Sequence, residues 1–530
     1  MKTKISVIIA SAITLAGTLT SCQQDFEEIN TDHRYPTESE LNIDNLNVGG
    51  LITAFEETIF PVGNSGTEYV NDYQIPYTLA GACWTGYIAP TQNKWVGRGF
   101  PTYSLKAWSN YTFNVMAGYT YRQWLDIKRR TKDDPAGYAI AQIIKVAAVH
   151  KATDTFGPIP YSQTGVEGIT VSIYDSQKDV YQQMLADLDS AVINLNNAGH
   201  DVFTRYDLIY DGNYTKWMKF GNSLMLRLAM RCVYADEALA RKYAEKALTN
   251  PGGVITDMDD NATLSEGAGI TLKNPLTIIN GAYNDTRMGA EIYSYLKGYS
   301  DPRIDKYFTK GTINDVSDYY AVRTNLPNIL SYQDAKKFST LKVADETPVY
   351  IVRASEVYFL RAEGALRGWQ MNGTAEELYK KGIETSFAEL GLKTSDVETY
   401  MANATAKPAK YVDPVNTQYS AAPVSTITIP WDSKATFETN LERIITQKYL
   451  ALFPDGQEAW SEFRRTGYPR IFTAVANNTD CDVNSATGPT RMPYSNDEYT
   501  LNLDNIKKAV EMLGGNDNGA TRLWWDKKNK

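Results

Sequence analysis

QKDVYQQMLADLDSAVINLN, residues 177–196, is the segment on which the fold class turns. Its apolar side chains Val180, Tyr181, Met184, Leu185, Leu188, Ala191, Val192 and Leu195 fall at offsets 0, 1, 4, 5, 8, 11, 12 and 15. Those offsets trace one stripe of a helix with 3.6 residues per turn, and a strand of period two could not bury them on one face. Such a stripe needs other apolar faces to lie against. Upstream, residues 136–153 follow Pro135 and carry the run AIAQIIKVAAV, apolar almost all round, so this helix is expected to be buried. Downstream, residues 213–234 repeat the amphipathic pattern, and residues 237–249 stop at the breaker Pro251-Gly252-Gly253.

The same reading extends outward. Residues 48–60 read as a first helix, and residues 106–130 as another with Trp108, Tyr111, Val115 and Tyr119 on one face. Residues 354–370 and 374–390 form a helical hairpin around Asn372-Gly373. Residues 441–453 and 457–465 flank Pro454-Asp455-Gly456, and residues 505–513 close the pattern. The fold is therefore mostly α, with layered helices. Helix starts at 106, 177, 354 and 441 share no fixed period, so no 34-residue repeat is legible. Two stretches interrupt the helices. Residues 63–103 hold many aromatics broken by glycines and prolines, which predicts exposed loops over a scaffold. Residues 250–350 loosen into loops and short strands.

At the start of the chain, Leu19-Thr20-Ser21-Cys22 reads as a lipobox after a basic Met1-Lys2-Thr3-Lys4 and an apolar run over residues 5–20. That run is too short to span a ~30 Å hydrocarbon core comfortably. An ordinary secretory leader or an anchor helix would share the run, but the small residues before Cys22 and the polar, acidic residues 23–28 favour lipidation. Cys22 would then carry acyl chains, palmitate among them, and more than one chain makes the attachment stable. The expected organisation is a signal peptide over 1–21, a lipidated tether over 22–50 and a single domain over 51–530 with loop-rich insertions near 63–103 and 250–350.

Composition narrows the partners. Of 530 residues, 43% are hydrophobic and 22% charged, as in ordinary globular proteins. The net charge of −9 argues against nucleic acid and against a basic membrane-binding face. The 36 Tyr outnumber the 16 Phe, and tyrosine suits surfaces that are half wet. With Cys22 acylated, Cys83, Cys232 and Cys481 cannot build a disulfide framework, although a Cys83–Cys481 bridge is open.

Catalytic signatures are sparse. His33, His150 and His200 lack the partners of a zinc-protease helix, and no nucleophile elbow or phosphate loop occurs. The run DMDDNA, residues 257–262, invites a calcium reading but puts Ala262 and Ala268 where an EF-hand needs Gly and Glu. No cofactor is implied. A glycosidase needs only two suitably spaced carboxylates, which 62 acidic residues can always offer, so an enzyme is unsupported rather than refuted.

Six stretches in order resemble the SusD/RagB family of outer-membrane nutrient-binding lipoproteins, in its SusD-like subgroup. They are FEEINTD (26–32), DTFGPIPYSQ (154–163), KWMKFGNSLMLRLAMR (216–231), DPRIDKYF (301–308), SEVYFLRAEGALRGW (355–369) and IITQKYLALFPDGQEAWSEFRRTGYPR (444–470). Only the tether departs, with His33-Arg34-Tyr35-Pro36 after Asp32. The resemblance implies a SusD-like fold: tetratricopeptide-like helix pairs as scaffold, and long irregular loops carrying the ligand surface. It also implies a SusC-like TonB-dependent transporter barrel as partner, with this protein as its lid on the cell surface, lipid-anchored in the outer membrane. The cargo would be an oligosaccharide or, as in the RagB branch, a peptide. Trp460, Arg464, Arg465 and Tyr468 are expected to be packing and ion-pair residues.

Sugar recognition combines flat aromatic faces with amide, carboxylate and guanidinium groups. The densest such cluster is Tyr73, Gln74, Trp84, Tyr87, Gln92, Asn93, Lys94, Trp95 and Arg98, and a second is Asn280, Tyr283, Asn284 and Arg287. Family resemblance places ligand contacts in these two regions. The candidates are Tyr73, Trp84, Tyr87, Asn93, Trp95, Arg98, Tyr283 and Asn284, with Trp95 foremost; packing or the transporter face is the rival role for each.

Overall fold

Capping chemistry sets the main helices. The computed structural model describes residues 46–63, 69–267 and 269–529, so Cys22 and most of the expected tether lie outside the described residues. The helix Leu46–Glu56 begins inside the stretch expected to be tether. Helix Ser109–Phe113 runs through a π-helical turn, Asn114–Gly118, into α1 (Tyr119–Thr131). In α2 (Pro135–Phe156) the Asp134 side chain accepts the Gly137 N–H at 3.0 Å, with Pro135 in the first turn. In α3 (Gln177–Ala198) Ser176 caps the start, and Gly199 at φ 64° closes the end in the left-handed conformation that glycine adopts freely. Asn213 and Asp236 cap α4 (Tyr214–Arg231) and α5 (Glu237–Thr249). A capping box between Thr374 and Glu377 starts α7 (Ala375–Glu389), which follows α6 (Ala354–Leu366). Thr436 and Asp455 cap α8 (Phe437–Leu452) and α9 (Gly456–Thr466).

Consecutive helices pack in pairs: α2 on α3, α4 on α5 and α6 on α7, with α3 also against α4 and α6 against α8. All eight stripe residues of α3 are fully buried. Each Leu- or Val-sized side chain so buried stabilises the fold by about 1.5–3 kcal/mol. Strands are short. Ile88–Ala89 pairs antiparallel with Arg287–Met288, and Ala262–Leu264 with Val349–Val352.

The interior of the helix layers is ionic. Arg231 donates to Glu458 and Glu462 at 2.5 Å each and lies 3.5 Å from Asp154. Arg227 pairs with Glu356 at 2.5 Å, and Lys448 stands 3.1 Å from Glu458 and 3.4 Å from Glu462. Arg465 bridges Glu363 and Glu462 at 2.6 and 2.7 Å. All of these groups are buried, so their charges must balance within the network. Four of the six family-like stretches converge here, and Trp460, Arg464 and Arg465 are packing and ion-pair residues as expected.

One expectation is overturned. Within the described residues 69–103 the aromatics are mostly not in exposed loops. Val70–Tyr73 is helical, Gln74–Ala82 continues it as a π-helical segment kinked at Ala80, and Tyr73, Tyr77, Trp84, Tyr87, Phe100 and Tyr103 are buried, while Asn93, Lys94, Gly97 and Arg98 stay exposed. The physical reason is close backbone packing. A Cβ on Gly81 would stand 2.5 Å from the Gly456 carbonyl oxygen, and one on Gly456 would stand 2.1 Å from the Ala82 nitrogen. Two glycines thus let the π-helical segment seat on the start of α9. Cys83, Cys232 and Cys481 are buried thiols, so the open Cys83–Cys481 bridge is not formed. In the DMDDNA run, Asp257 caps a 3-10 turn and Asp260 pairs with Lys219 at 2.6 Å.

Candidate functional site

The two sequence clusters expected to bind ligand meet through a residue in neither. The Ile88–Ala89 and Arg287–Met288 pairing brings the chain after residue 89 beside the loop before residue 287. Between them lies Asp285, fully buried. Its Oδ1 accepts the backbone N–H groups of Thr91 at 3.0 Å and Gln92 at 2.9 Å. Its Oδ2 accepts Gln74 Nε2 at 2.7 Å and the Trp95 indole N–H at 2.5 Å. Burial raises the Asp285 carboxyl to about 6, and the donors from Trp95, Gln92 and Thr91 keep it from rising further. One carboxylate thereby holds the 3-10 turn Asn93–Trp95 in place.

A second buried group organises the opposite side. Arg287 donates to Asn284 Oδ1 at 2.8 Å, to the Thr286 carbonyl at 2.6 Å and to the Tyr332 carbonyl at 3.2 Å. Burial lowers its guanidinium to about 10, against the pull of Asp285 and Asp334. Asn284 sits at φ 48° and donates to the Gln333 carbonyl at 2.9 Å, while Gln92 Nε2 donates to the Tyr283 carbonyl at 2.7 Å. The Tyr283 backbone is therefore pinned from both sides.

On this platform stands a polar, aromatic rim. The Lys94 ammonium lies 4.5 Å from the centre of the Trp95 ring and 5.9 Å from that of Tyr283. Tyr283 Oη reaches Asn71 Oδ1 at 3.5 Å. Beside Asn71, Asp72 accepts the Tyr111 hydroxyl. Burial, and then Asp72, raises Tyr119 as well. Tyr111 and Tyr119 flank the π-helical turn Asn114–Gly118. Asn71, Asn93, Lys94 and Arg98 are exposed, and Asp72, Tyr111, Tyr119, Tyr283 and Asn284 are half-buried. The arrangement can stack a pyranose face on Tyr283 and meet hydroxyl or acetamido groups with Asn71, Asp72, Asn93 and Lys94.

Of the predicted site residues, Asn93, Trp95, Tyr283 and Asn284 are brought together here, with Arg98 on the adjoining turn. Tyr73, Trp84 and Tyr87 are not, and their proposed exposure is corrected. Trp84 packs edge-on at 4.7 Å on Trp460 and donates to the Phe100 carbonyl at 2.8 Å. Tyr87 stacks at 4.4 Å on Tyr449, and Tyr73 lies 5.5 Å from Tyr77. Trp95 keeps 8% of its surface and meets Trp108 edge-on at 5.2 Å, so it supports the rim rather than presenting a face. Sequence reasoning missed Asn71, Asp72, Tyr111, Tyr119 and Asp285. Only the Asn284-Asp285 turn dipeptide hinted at the last.

A family model described as SusD-like, for SusD and RagB outer membrane lipoproteins, matches residues 28–526. This chain belongs to the SusD-like family. A chitin-binding SusD homologue from Flavobacterium johnsoniae is 38% identical, with 90% of this chain and 98% of that one covered at a TM-score of 0.84. A SusD homologue from Bacteroides thetaiotaomicron is 36% identical over 91% and 99% of the two chains at 0.82, and one from Bacteroides uniformis 35% identical over 91% and 99% at 0.83. No curated protein matches. The mostly α SusD-like fold inferred from the six stretches is therefore the fold of this chain. Among the described residues no helix is long and apolar enough to cross a membrane, and no cluster of three or more His, Cys, Asp or Glu could hold a metal ion.

Proposed function

We propose that this SusD-like lipoprotein captures an oligosaccharide at the rim around Tyr283 and Lys94 and performs no chemistry on it. The observation that carries the reading is the whole-chain similarity to a chitin-binding homologue. The rim supports it, since an aromatic face beside amide and ammonium donors is what an N-acetylated sugar requires. Lipid on Cys22 would hold the protein at the cell surface, and a SusC-like TonB-dependent barrel would receive the cargo with this protein as its lid. A tether suits that task because it keeps the lid concentrated beside its barrel while it swings.

Calorimetry with chitooligosaccharides of increasing length tests the reading. Wild type should bind, and Tyr283→Ala should weaken binding by about tenfold, the scale of one lost aromatic face. Silence across a broad glycan panel, with heat on adding peptides, would overturn the saccharide assignment. Turnover of a bound glycan, abolished by one Asp or Glu change, would overturn the non-enzyme reading.

A further inference from the structure

We infer that the chain carries a second ligand site, a basic cleft at the C-terminal end of α9 that takes a uronic-acid-bearing saccharide through its carboxylates. The cleft has a volume of about 400 Å³ and shares no lining residue with the Tyr283 rim. Its wall includes three arginines from separate segments, Arg464 in α9, Arg470 in the following loop and Arg522 near the C-terminus, against one acid, Asp526. In a chain of net charge −9, a concave surface with this excess of cations runs against the overall balance.

The acid is already engaged: Arg522 Nη2 donates to Asp526 Oδ1 at 2.7 Å and to the Lys528 carbonyl at 2.6 Å. Among the described residues the Arg522 Nε and Nη1 groups have no partner. Arg470 is half exposed, and among the described residues its one ion pair, with Glu442, is 3.6 Å long, beyond hydrogen-bond reach. Its planar fork is therefore open to a carboxylate, which it can grip through two parallel N–H groups. Arg464 is different. It lies 3.3 Å from the centre of the Trp460 ring and donates to the carbonyls of Asp154 and Thr490 at 2.5 and 3.0 Å, making a rigid positive back wall. Burial lowers its guanidinium to about 9 despite Asp154 and Asp526, so an anion in the cleft would be stabilised by it. Phe463 and Ile471 add an apolar ledge for the carbon face of a sugar ring. Chitin is neutral and offers the cleft no carboxylate to grip.

The test is calorimetry on the purified full chain with a galacturonic acid trisaccharide, its methyl ester and inorganic sulfate. The acid should bind, its ester should bind at least about tenfold more weakly, and added salt should weaken the acid form. Arg470→Gln should weaken the acid by about tenfold while leaving the melting temperature and chitooligosaccharide binding unchanged. Adding Arg522→Gln should weaken the acid further at the expense of a lower melt, because buried Asp526 then loses its pair with Arg522. Arg522→Lys, which keeps the charge and loses the fork, should fall between. No binding, equal affinity for acid and ester, sulfate as tight as the trisaccharide, or loss on Tyr283→Ala instead of the arginine changes would each overturn the proposal. Because the two sites share no residue, failure here leaves the saccharide reading of the rim intact, and failure there leaves this one.

Discussion

Glu458→Gln removes one charge from the buried network and keeps the side chain's shape. Glu458 takes Arg231 at 2.5 Å and Lys448 at 3.1 Å, with Arg227 at 3.9 Å. It is 4% exposed, so water cannot substitute for the lost charge. Burial by itself would raise the carboxyl, but Arg231, Lys448 and Arg227 pull it from 4.5 down to about 2. At ~1.4 kcal/mol per pKa unit, that depression corresponds to roughly 3 kcal/mol of stability. Breaking a buried pair from one side costs about 3–5 kcal/mol, so the two routes agree in scale. Unfolding entropy near 2 cal/mol/K per residue makes 3 kcal/mol worth about 3 °C in a chain of this size. Thermal melts at neutral pH should therefore show a drop of about that size. Because the folded carboxyl lies below its ordinary value, the contribution is complete above about pH 4.5 and is lost as pH falls towards 2. Wild type should lose stability more steeply than the variant over that interval. Adding Lys448→Met to Glu458→Gln restores the balance and should cost less than the two single changes summed. A melt within about half a degree of wild type, or strict additivity in the double variant, would refute the argument that charge balance holds this core.

Gly456→Ala should cost more than a typical substitution, about 3 kcal/mol or above, because the new Cβ meets the Ala82 backbone at 2.1 Å; loss of the folded fraction in thermal melts checks it. In Asp285→Asn, removing a buried charge and leaving the Gln74 and Trp95 donors unmatched nearly cancel, at about 1–3 kcal/mol per orphaned donor. The melt should move little while hydrogen exchange over residues 91–98 speeds up, and slow exchange in the variant would remove Asp285 from its role. The raised carboxyl also makes wild type lose stability as pH climbs through about 6, a slope the variant should lack. Lys94→Ala should weaken chitooligosaccharide binding several-fold without altering the melt, as calorimetry would show. Cys22→Ala should abolish incorporation of labelled palmitate into the protein.

Helices were legible because burial leaves a periodic trace: the α3 stripe is apolar wherever the turn points inward, and Pro135 and Pro251-Gly252-Gly253 mark a start and a stop. The caps at Asp134 and Ser176 emerged only with the structure. The aromatics of residues 63–103 left no such trace. Their burial depends on Trp460 and Tyr449, more than 350 residues away, and on two glycines that allow the approach. For the same reason the binding candidates divided after folding. Tyr73, Trp84 and Tyr87 went into the core, while Tyr111 and Tyr119, read as helix-face residues, arrived at the rim.

By itself, then, the amino-acid order determined what local chemistry can encode: helix stripes, helix breakers and the run of motifs shared with SusD-like proteins, with the Leu19-Thr20-Ser21-Cys22 stretch read as a lipobox. Tertiary structure decided which aromatic faces stay open, and it joined residues 91–95 to residues 283–287 through the Asp285 carboxylate. A side chain's exposure is a property of whatever packs against it, and here those partners come from distant parts of the chain.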